Sequence, residues 1–261
     1  MEDRKIVIIP TYNEKENIEN IIRKVFTLEG EYDVLVIDDG SPDGTAAIVK
    51  GLQQEFPSRL FMIERKGKLG LGTAYITGFR WSIANGYDYT FEMDADFSHN
   101  PEDLPRLYQA CKDGADLAIG SRYCDGISVI NWPIGRIIMS YYASVYVRTV
   151  LGMKVYDCTA GFKCYSNKVL KAINLDDIRM KGYGFQIEMK YTAYKLGFKI
   201  TEVPIIFVNR KAGTSKMSGG IFGEAFWGVM KLRCRKSIET GTVKHGKKKT
   251  SSSLWSAHCN I

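Results

Sequence analysis

The sequence predicts an α/β fold, with a mostly parallel sheet and helices on both of its faces. Five short, nearly uninterrupted apolar runs recur through the first half of the 261-residue chain, and a stretch with helical periodicity follows each of the first four. Strands that are apolar on both faces belong to parallel sheets whose two sides are covered. Hydrophobic residues make up 45% of the chain and charged residues 25%, which suits a globular protein with a substantial core, and the length allows one large α/β domain or two small ones.

Strand and helix candidates alternate regularly in the first half only. The strands are Lys5–Pro10, Asp33–Asp38, Arg59–Glu64, Tyr89–Asp94 and Asp116–Gly120, and the helices cover about 15–27, 44–56, 71–86 and 101–113. The second half contains helical patterns over Pro133–Leu151 and Phe185–Leu196, a strand over Phe198–Val208 and an amphipathic helix over Gly219–Ser237. Ligands of such sheets bind outside the carboxyl ends of the strands, so the polar residues at those ends are the candidate site.

Charge is concentrated at the C-terminal end of the chain. Eight Lys or Arg residues and one acid, Glu239, lie from residue 231 onward, so this part carries the whole net charge of +7 and residues 1–230 sum to zero. We expect one domain over residues 1–218, an amphipathic and membrane-docking helix within 219–240, and a basic disordered tail over 241–261. A neutral body without an aromatic–basic RNA motif argues against a nucleic-acid-binding protein.

Cysteine usage and the first residues favour a cytoplasmic protein. The six cysteines form no C-x-x-C pair, and none has zinc-ligand spacing to any of the three histidines. No signal peptide precedes the first strand, so we expect reduced thiols. No run of about 18 apolar residues indicates a transmembrane helix.

An Asp-x-Asp sequence, Asp94-Ala95-Asp96, ends the fourth strand. Two carboxylates separated by one residue can share Mg²⁺ or Mn²⁺ and leave coordination positions for substrate phosphates. Such a cation would neutralise the charge that develops on a departing diphosphate. The alternative is a solvated turn whose acids cap a helix, because Asp-x-Asp is a common tripeptide.

Polar residues also follow the first two strands, in the segments PTYNE at 10–14 and DDGSPDGT at 38–45. An acid at a strand end can accept hydrogen bonds from a ribose or a base, and Tyr12 can pack against a base. Helix capping by Asn13 and a turn at 41–44 explain part of the pattern. Because capping does not explain acids at three strand ends, the pattern favours a nucleotide.

The glycine-rich segment GKLGLGTA at 67–74 is not a known phosphate loop. It lacks the Gly-Lys-Ser/Thr ending of a Walker motif, and it follows the third strand, whereas a dinucleotide fingerprint follows the first. We interpret it as a tight turn with close helix packing. Backbone N–H groups near a donor are the alternative.

Eight sequence blocks, in order, resemble family 2 inverting glycosyltransferases. PTYNE, DDGSPDGT, KLGLGTAY at 68–75, DADFSHNP at 94–101 and GSRY at 120–123 carry the general resemblance, which implies the Rossmann-like GT-A (nucleotide-diphospho-sugar transferase) fold. CTAGFK at 158–163, GYGFQIEM at 182–189 and VPIIFVNR…GTSKM at 203–217 narrow it to dolichol-phosphate (polyprenol-monophosphate) mannosyltransferases. The blocks span residues 5 to about 218, and the chain resembles the form without C-terminal transmembrane helices.

This resemblance implies a metal-dependent transfer of mannose from GDP-mannose to a polyprenyl or dolichyl phosphate. The donor would be bound by Pro10, Tyr12, Glu14, Ile37, Asp39, Asp94, Ala95, Asp96, Ile187, Arg210 and Lys216. The ligands of Mg²⁺ or Mn²⁺ would be Asp94, Asp96 and Ser98, although some relatives have Gln at the last position and a serine hydroxyl is a poorer metal ligand. The acceptor phosphate would be bound by Arg122, Arg136 and Ser140, with Asp96 and Arg122 as the catalytic residues.

The chemistry of the basic residues agrees with such an acceptor. A lipid phosphate is already an anion, so it needs no strong general base to attack an anomeric carbon in line and invert its configuration. It needs cations that offset its repulsion from the sugar diphosphate, and arginine binds phosphate well. Each arginine taken alone could equally be an ordinary surface residue.

Three other functions are less consistent with the sequence. Transfer of glucose or another hexose from a UDP-sugar is the main alternative, because sugar choice rests on few contacts. A processive polysaccharide synthase would have Gln-x-x-Arg-Trp after the acidic motif, whereas the only Arg-Trp here, Arg80-Trp81, precedes it. A non-catalytic scaffold is disfavoured by the intact Asp94, Asp96 and Arg122.

Two segments are candidates for docking to a membrane surface that holds the acceptor. Ile134–Leu151 is apolar with Arg136 and Arg148 near its ends, and Ile221–Lys236 places aromatic residues beside basic ones. An apolar face with a basic border is typical of an interfacial helix. A core helix packed on the sheet is the alternative for the second segment, and small membrane-anchor subunits are a third arrangement. The expected location is the cytoplasmic face of a membrane.

Overall fold

The computed structural model describes residues 2–180, 182–209 and 221–235. Its strands are β1 (Lys5–Thr11), β2 (Tyr32–Asp38), β3 (Leu60–Glu64), β4 (Tyr89–Glu92), β5 (Leu117–Ser121), β6 (Val129–Ile130), β7 (Lys163–Ser166), β8 (Ile200–Pro204) and β9 (Phe207–Val208). Its helices are α1 (Ile18–Phe26), α2 (Thr45–Glu55), α3 (Leu71–Ala84), α4 (Leu104–Lys112), α5 (Ile134–Leu151), α6 (Asn167–Ala172), α7 (Gly182–Lys195) and α8 (Ile221–Cys234).

The main sheet has seven strands in the order β3-β2-β1-β4-β7-β5-β8. Neighbouring strands are parallel except at β7, which runs antiparallel to both β4 and β5. β6 and β9 form a separate parallel pair. The predicted α/β fold with a mostly parallel sheet is confirmed.

Side-chain alternation along β1 divides the core into two layers. Ile6 and Ile8 belong to the cluster that includes side chains of α3, α5 and α7, whereas Val7 and Ile9 belong to the cluster with α1, α2 and α4. All four side chains are fully buried. Because successive residues of a strand point to opposite faces, a strand that is apolar throughout requires helices on both sides of the sheet.

The second half of the chain departs from the predicted elements. The single strand predicted over Phe198–Val208 is wrong, because β8 ends at Pro204 and β9 pairs with β6 in the other sheet. A proline has no N–H to continue a strand ladder, which explains the break. The short strands β6 and β7 and the helix α6 were not predicted.

The last described helix contributes to the core with one face only. Val229 and Leu232 of α8 are buried, whereas Phe226, Trp227 and Met230 are exposed. Both alternatives for this segment, a core helix and an exposed apolar face, are therefore present in one helix. In the part of the chain that the structure describes, no helix is both long enough and apolar enough to cross a membrane. The predicted tail over 241–261 lies outside the described residues.

Candidate active site

A cavity of about 400 Å³ opens at the carboxyl ends of β1, β2, β4 and β5. Nine residues predicted from the sequence line it: Pro10, Tyr12, Glu14, Asp39, Asp94, Ala95, Asp96, Arg122 and Arg136. The cavity is also lined by residues that were not predicted as site residues, among them Lys68, His99, Trp132, Thr159 and Gln186. The expectation that polar residues at strand ends would converge is met, and what they bind stays a prediction.

The acidic motif lies in a tight turn after β4, which ends at Glu92 and so two residues earlier than the motif. Asp96 is buried, and its Oδ1 accepts a hydrogen bond of 3.0 Å from the backbone N–H of Ser98. The side chain of Asp94 is 41% exposed. Phe97, which lies between Asp96 and Ser98, has a left-handed φ of 57°, an uncommon conformation for a bulky residue. The turn therefore fixes the Asp96 carboxylate and leaves the Asp94 side chain more exposed, while both residues line the cavity.

His99 supports this turn from within. Its Nδ1 accepts a hydrogen bond of 3.3 Å from the Asp94 backbone N–H, and its ring stacks on Phe162 with 4.9 Å between ring centroids. Burial is the main cause that lowers the pKa of His99 to about 4. A neutral imidazole can accept the Asp94 hydrogen bond at neutral pH, whereas an imidazolium cannot.

The donor set around the motif fits a hard divalent cation that also binds substrate. Among the residues that the structure describes, no group of three or more His, Cys, Asp or Glu side chains is placed to hold a metal. Asp94 and Asp96 would supply two carboxylates, and phosphate or water oxygens would complete the coordination, as Mg²⁺ prefers. Ser98 is buried and does not line the cavity, so its predicted role as a ligand gains no geometric support.

The opposite group of lining residues follows β1 and β2 and includes Tyr12, Glu14 and Asp39. Asp39 is buried and accepts hydrogen bonds from Arg65 Nε at 2.6 Å and from the backbone N–H of Leu69 at 3.2 Å. Lys68 Nζ lies 5.1 Å from the centroid of the Tyr12 ring. The Asp39 carboxylate therefore fixes the glycine-rich segment, which is a turn leading into α3 and which also lines the cavity.

Arg122 is held by a buried carboxylate. Its Nε and Nη2 donate to the two oxygens of Asp157 at 2.7 and 2.6 Å, and Nη2 also donates to Thr159 Oγ1 at 2.8 Å. Asp157 is fully buried and also accepts the Arg122 backbone N–H at 3.0 Å. Burial alone would raise the pKa of Asp157, but the Arg122 charge and its donated bonds outweigh burial and lower this pKa. The guanidinium is thus fixed in direction before any substrate arrives.

The segment that carries Asp157 is itself fixed by two polar side chains, the half-buried Glu202 and the buried Lys190. Glu202 accepts the backbone N–H groups of Tyr156 and Asp157 at 2.7 and 2.9 Å. Lys190 donates from Nζ to the carbonyl oxygen of Ala160 at 2.6 Å. Ala160 lines the cavity, so these contacts define one of its walls.

A second buried ion pair lies behind the acidic motif. Lys163 and Glu92 are opposite each other in the β4–β7 ladder, with 3.0 Å between Nζ and Oε1. Gln186 accepts a hydrogen bond from Lys163 and donates to Glu92 Oε2 at 2.8 Å. The pair therefore holds the Gln186 amide at the cavity wall.

Six predicted site residues do not line the cavity. Ile37 and Ile187 belong to the hydrophobic core, and Ser140 Oγ accepts a hydrogen bond of 2.7 Å from the Tyr123 hydroxyl. Any contact of Ile37 or Ile187 with a nucleotide would have to come from the backbone. Arg210 and Lys216 lie outside the described residues. Ser98, described above, is the sixth.

Lys190 makes the stability of the protein depend on pH. Burial, with the nearby Lys163 charge, lowers the pKa of Lys190 from 10.5 to about 7. Between these values the unfolded chain binds more protons than the folded chain, so this residue makes the free energy of unfolding rise with pH from about 7 to about 10. The slope is up to about 1.4 kcal/mol per pH unit.

Replacing Lys190 with methionine should reduce this pH dependence. Between pH 7 and pH 9, the free energy of unfolding measured in urea should rise less for Lys190→Met than for the wild type. Parallel pH dependences would mean that Lys190 is charged in the fold.

This chain is similar to known proteins both in sequence and in fold. A family model described as glycosyl transferase family 2 matches residues 6–173. The chain is 47% identical over 243 residues to the polyprenol monophosphomannose synthase of Mycolicibacterium smegmatis, covering 92% of each chain. It is 49% identical over 231 residues to the undecaprenyl-phosphate mannosyltransferase of Micrococcus luteus, covering 87% of this chain and 94% of the relative.

A solved structure from a more distant protein has the same fold. Glucosyl-3-phosphoglycerate synthase from Mycobacterium tuberculosis, in complex with Mn²⁺, UDP-glucose and phosphoglyceric acid, superposes with a TM-score of 0.65. The two chains are 21% identical, and the match covers 88% of this chain and 80% of that one. At this identity the similarity shows the fold alone.

Proposed function

Because the chain belongs to glycosyl transferase family 2, among its polyprenyl-phosphate mannosyltransferases, we propose that it transfers mannose from GDP-mannose to a polyprenyl phosphate. The names of the two relatives support the sugar and the class of acceptor. The donor nucleotide, the divalent metal and the membrane location are further parts of this proposal.

The observation that carries the proposal is that one cavity brings the two carboxylates of the acidic motif together with two arginines. Asp94 and Asp96 follow β4, while Arg122 follows β5 and Arg136 lies in the first turn of α5. Carboxylates suit a cation that binds a diphosphate, and guanidinium groups bind phosphate directly. A reaction that brings two phosphate groups to one sugar carbon needs both kinds of residue.

In the proposed reaction, an oxygen of the acceptor phosphate attacks the anomeric carbon of mannose in line. A bond forms from that carbon to the acceptor oxygen as the bond to the diphosphate oxygen breaks, so the configuration inverts. Arg122 and Arg136 would orient the acceptor and offset its repulsion from the diphosphate. A divalent cation bound by Asp94 and Asp96 would supply charge stabilisation for the departing diphosphate. No side chain has to remove a proton, because the acceptor phosphate is already ionised.

The acceptor has a lipid tail, and an exposed apolar surface adjoins the cavity. Arg136 lines the cavity, and on the same helix Ile134, Ile138 and Tyr142 are largely exposed. On α8, Trp227 is 66% exposed and stands edge-on to Phe226, which stacks on Tyr146 of α5 at 4.8 Å. Aromatic side chains beside basic residues are typical of a helix that lies at a membrane surface. We propose that α5 and α8 face the bilayer, on its cytoplasmic side.

Replacing Trp227 with alanine should weaken membrane docking without changing the chemistry. Loss of one exposed indole should reduce binding to vesicles that contain anionic lipid by about three- to tenfold, because its apolar area no longer enters the interface. The measurement is co-sedimentation with such vesicles, and the control is turnover on a short-chain acceptor dispersed in detergent. Unchanged vesicle binding would place the docking surface elsewhere.

Sugar transfer by the purified protein tests the proposed function. Radiolabelled GDP-mannose, UDP-glucose and UDP-N-acetylglucosamine are each incubated with short-chain polyprenyl phosphate, in Mg²⁺ or Mn²⁺ and then in EDTA. Label should enter the lipid fraction from GDP-mannose only, and EDTA should abolish it. Transfer from a UDP-sugar alone would replace the proposed donor, and transfer that resists EDTA would remove the metal from the proposal.

A further inference from the structure

Trp132 lies between the two arginines of the cavity. The Cζ atom of Arg136 is 4.0 Å from the centroid of the Trp132 ring, and the Cζ atom of Arg122 is 5.5 Å from it. All three side chains line the cavity. The face of an indole ring attracts cations, so one ring holds two guanidinium groups in the same small region despite their mutual repulsion.

The position of Trp132 is set by the small β6–β9 sheet. Trp132 is in the three-residue connection between β6 and α5, and its ring stands edge-on to Phe207 of β9 at 5.2 Å. Asn209, which follows β9, donates its backbone N–H to the Ile130 carbonyl at 3.0 Å and accepts a hydrogen bond from Arg136 at 3.2 Å. The same sheet therefore fixes both the ring and the arginine stacked on it.

The indole N–H of Trp132 needs an acceptor. Its Nε1 is buried and has no hydrogen-bond partner among the residues that the structure describes. The two groups on the ring cannot supply one, because a guanidinium only donates hydrogen bonds. A buried donor without an acceptor is unfavourable, and an anionic oxygen that displaces the groups covering Nε1 would satisfy it.

We propose that Trp132 binds the acceptor phosphate, with its N–H donating to a phosphate oxygen and its ring spacing Arg122 and Arg136 around the same group. This inference rests on the proposed function, since it assigns the acceptor side of that reaction. It adds a neutral donor to two cations, so that the incoming phosphate is recognised by direction as well as by charge. The donor diphosphate, at the acidic motif, does not depend on Trp132.

Steady-state kinetics of Trp132→Phe test this assignment, because phenylalanine keeps an aromatic face but has no N–H. The expected result is a KM for polyprenyl phosphate about tenfold higher, with the KM for the sugar donor within twofold of the wild type. Trp132→His, which retains a ring N–H, should recover part of the acceptor affinity. An unchanged acceptor KM in Trp132→Phe, or an equal rise in both KM values, would overturn the assignment.

Trp81→Phe is the matched control. Trp81 lies on α3, where it packs against Phe61 and Tyr87 and does not line the cavity. The same substitution at this position should therefore leave both KM values unchanged. Thermal unfolding of the three variants separates loss of folding from loss of binding.

A binding measurement separates this inference from the proposed function. Calorimetric titration of short-chain polyprenyl phosphate, without any donor, should show weaker binding to Trp132→Phe than to the wild type by about tenfold. If the wild type binds this lipid but transfers no mannose, the proposed donor is wrong. The role of Trp132 is then decided by the ratio of the lipid affinities of the wild type and Trp132→Phe. Equal affinities of the two proteins would refute the role of Trp132 whatever the donor is.

Discussion

Asp96→Asn is expected to lower kcat for mannosyl transfer by at least about 10³-fold, because it removes a charge from the site that stabilises the departing diphosphate. Asparagine has nearly the shape of aspartate, and its Oδ1 can still accept the hydrogen bond from the Ser98 backbone. The fold should therefore be retained. The measurement is single-turnover transfer at saturating donor, together with thermal unfolding.

Asp125→Asn is the control for this substitution. Asp125 is exposed and does not line the cavity, so the loss of its charge should leave kcat unchanged. Near-wild-type turnover by Asp96→Asn would show that the second carboxylate of the motif has no part in binding the cation or the diphosphate.

Asp157→Asn is expected to reduce both turnover and stability. Asp157 fixes Arg122 through three hydrogen bonds, and an asparagine would turn an N–H₂ donor toward a guanidinium that only donates. A buried arginine without its counter-charge should cost about 3 kcal/mol of stability. Because the guanidinium would also lose its orientation, kcat should fall by about 10²-fold.

The control for Asp157→Asn is another ion pair, Arg80–Asp176, which lies outside the cavity lining. Both side chains are more than half exposed, so Asp176→Asn should cost less than about 1 kcal/mol and leave kcat unchanged. The kinetic effect of Asp157→Asn should appear mainly in kcat and in the acceptor KM. A purely structural role would instead lower stability while the surviving folded protein kept its kcat.

The sequence allowed the GT-A fold and much of the cavity to be predicted, because the relevant signals are local. The GT-A fold is confirmed by the family match, by the sheet and by the fold of a solved relative. Continuous apolar runs such as β1 identify buried parallel strands, and acids that follow them must meet at one edge of the sheet. Asp39 and Asp94 could be placed together on that ground, whereas Arg122 was assigned to the site through the family resemblance.

The antiparallel strand β7 had no comparable signal. It is four residues long, and its first residue is Lys163, a charged residue where a buried strand is expected to have an apolar one. Only the long-range pairing of Lys163 with Glu92 makes that burial tolerable, and such a partner is not visible along the chain.

Residues that act through the position of another group were also missed. Asp157 directly precedes the CTAGFK block, and His99 lies within DADFSHNP, so both stood next to recognised motifs. Their partners, Arg122 and the Asp94 backbone, are specified by tertiary structure in the first case and by an unusual turn in the second. Trp132 has no local signal at all, because its role depends on two arginines that the fold brings to one ring.

The most direct measurement is the anomeric configuration of the lipid product. GDP-[¹³C]mannose, short-chain polyprenyl phosphate and Mn²⁺ are incubated with the purified protein, and the mannosyl phosphate is examined by NMR. In-line attack by the acceptor phosphate should convert the α-linked sugar of the donor into a β-linked mannosyl phosphate, with no product in EDTA. An α-linked product, or a wild-type protein that binds both substrates with metal and forms no mannolipid, would contradict the proposed reaction.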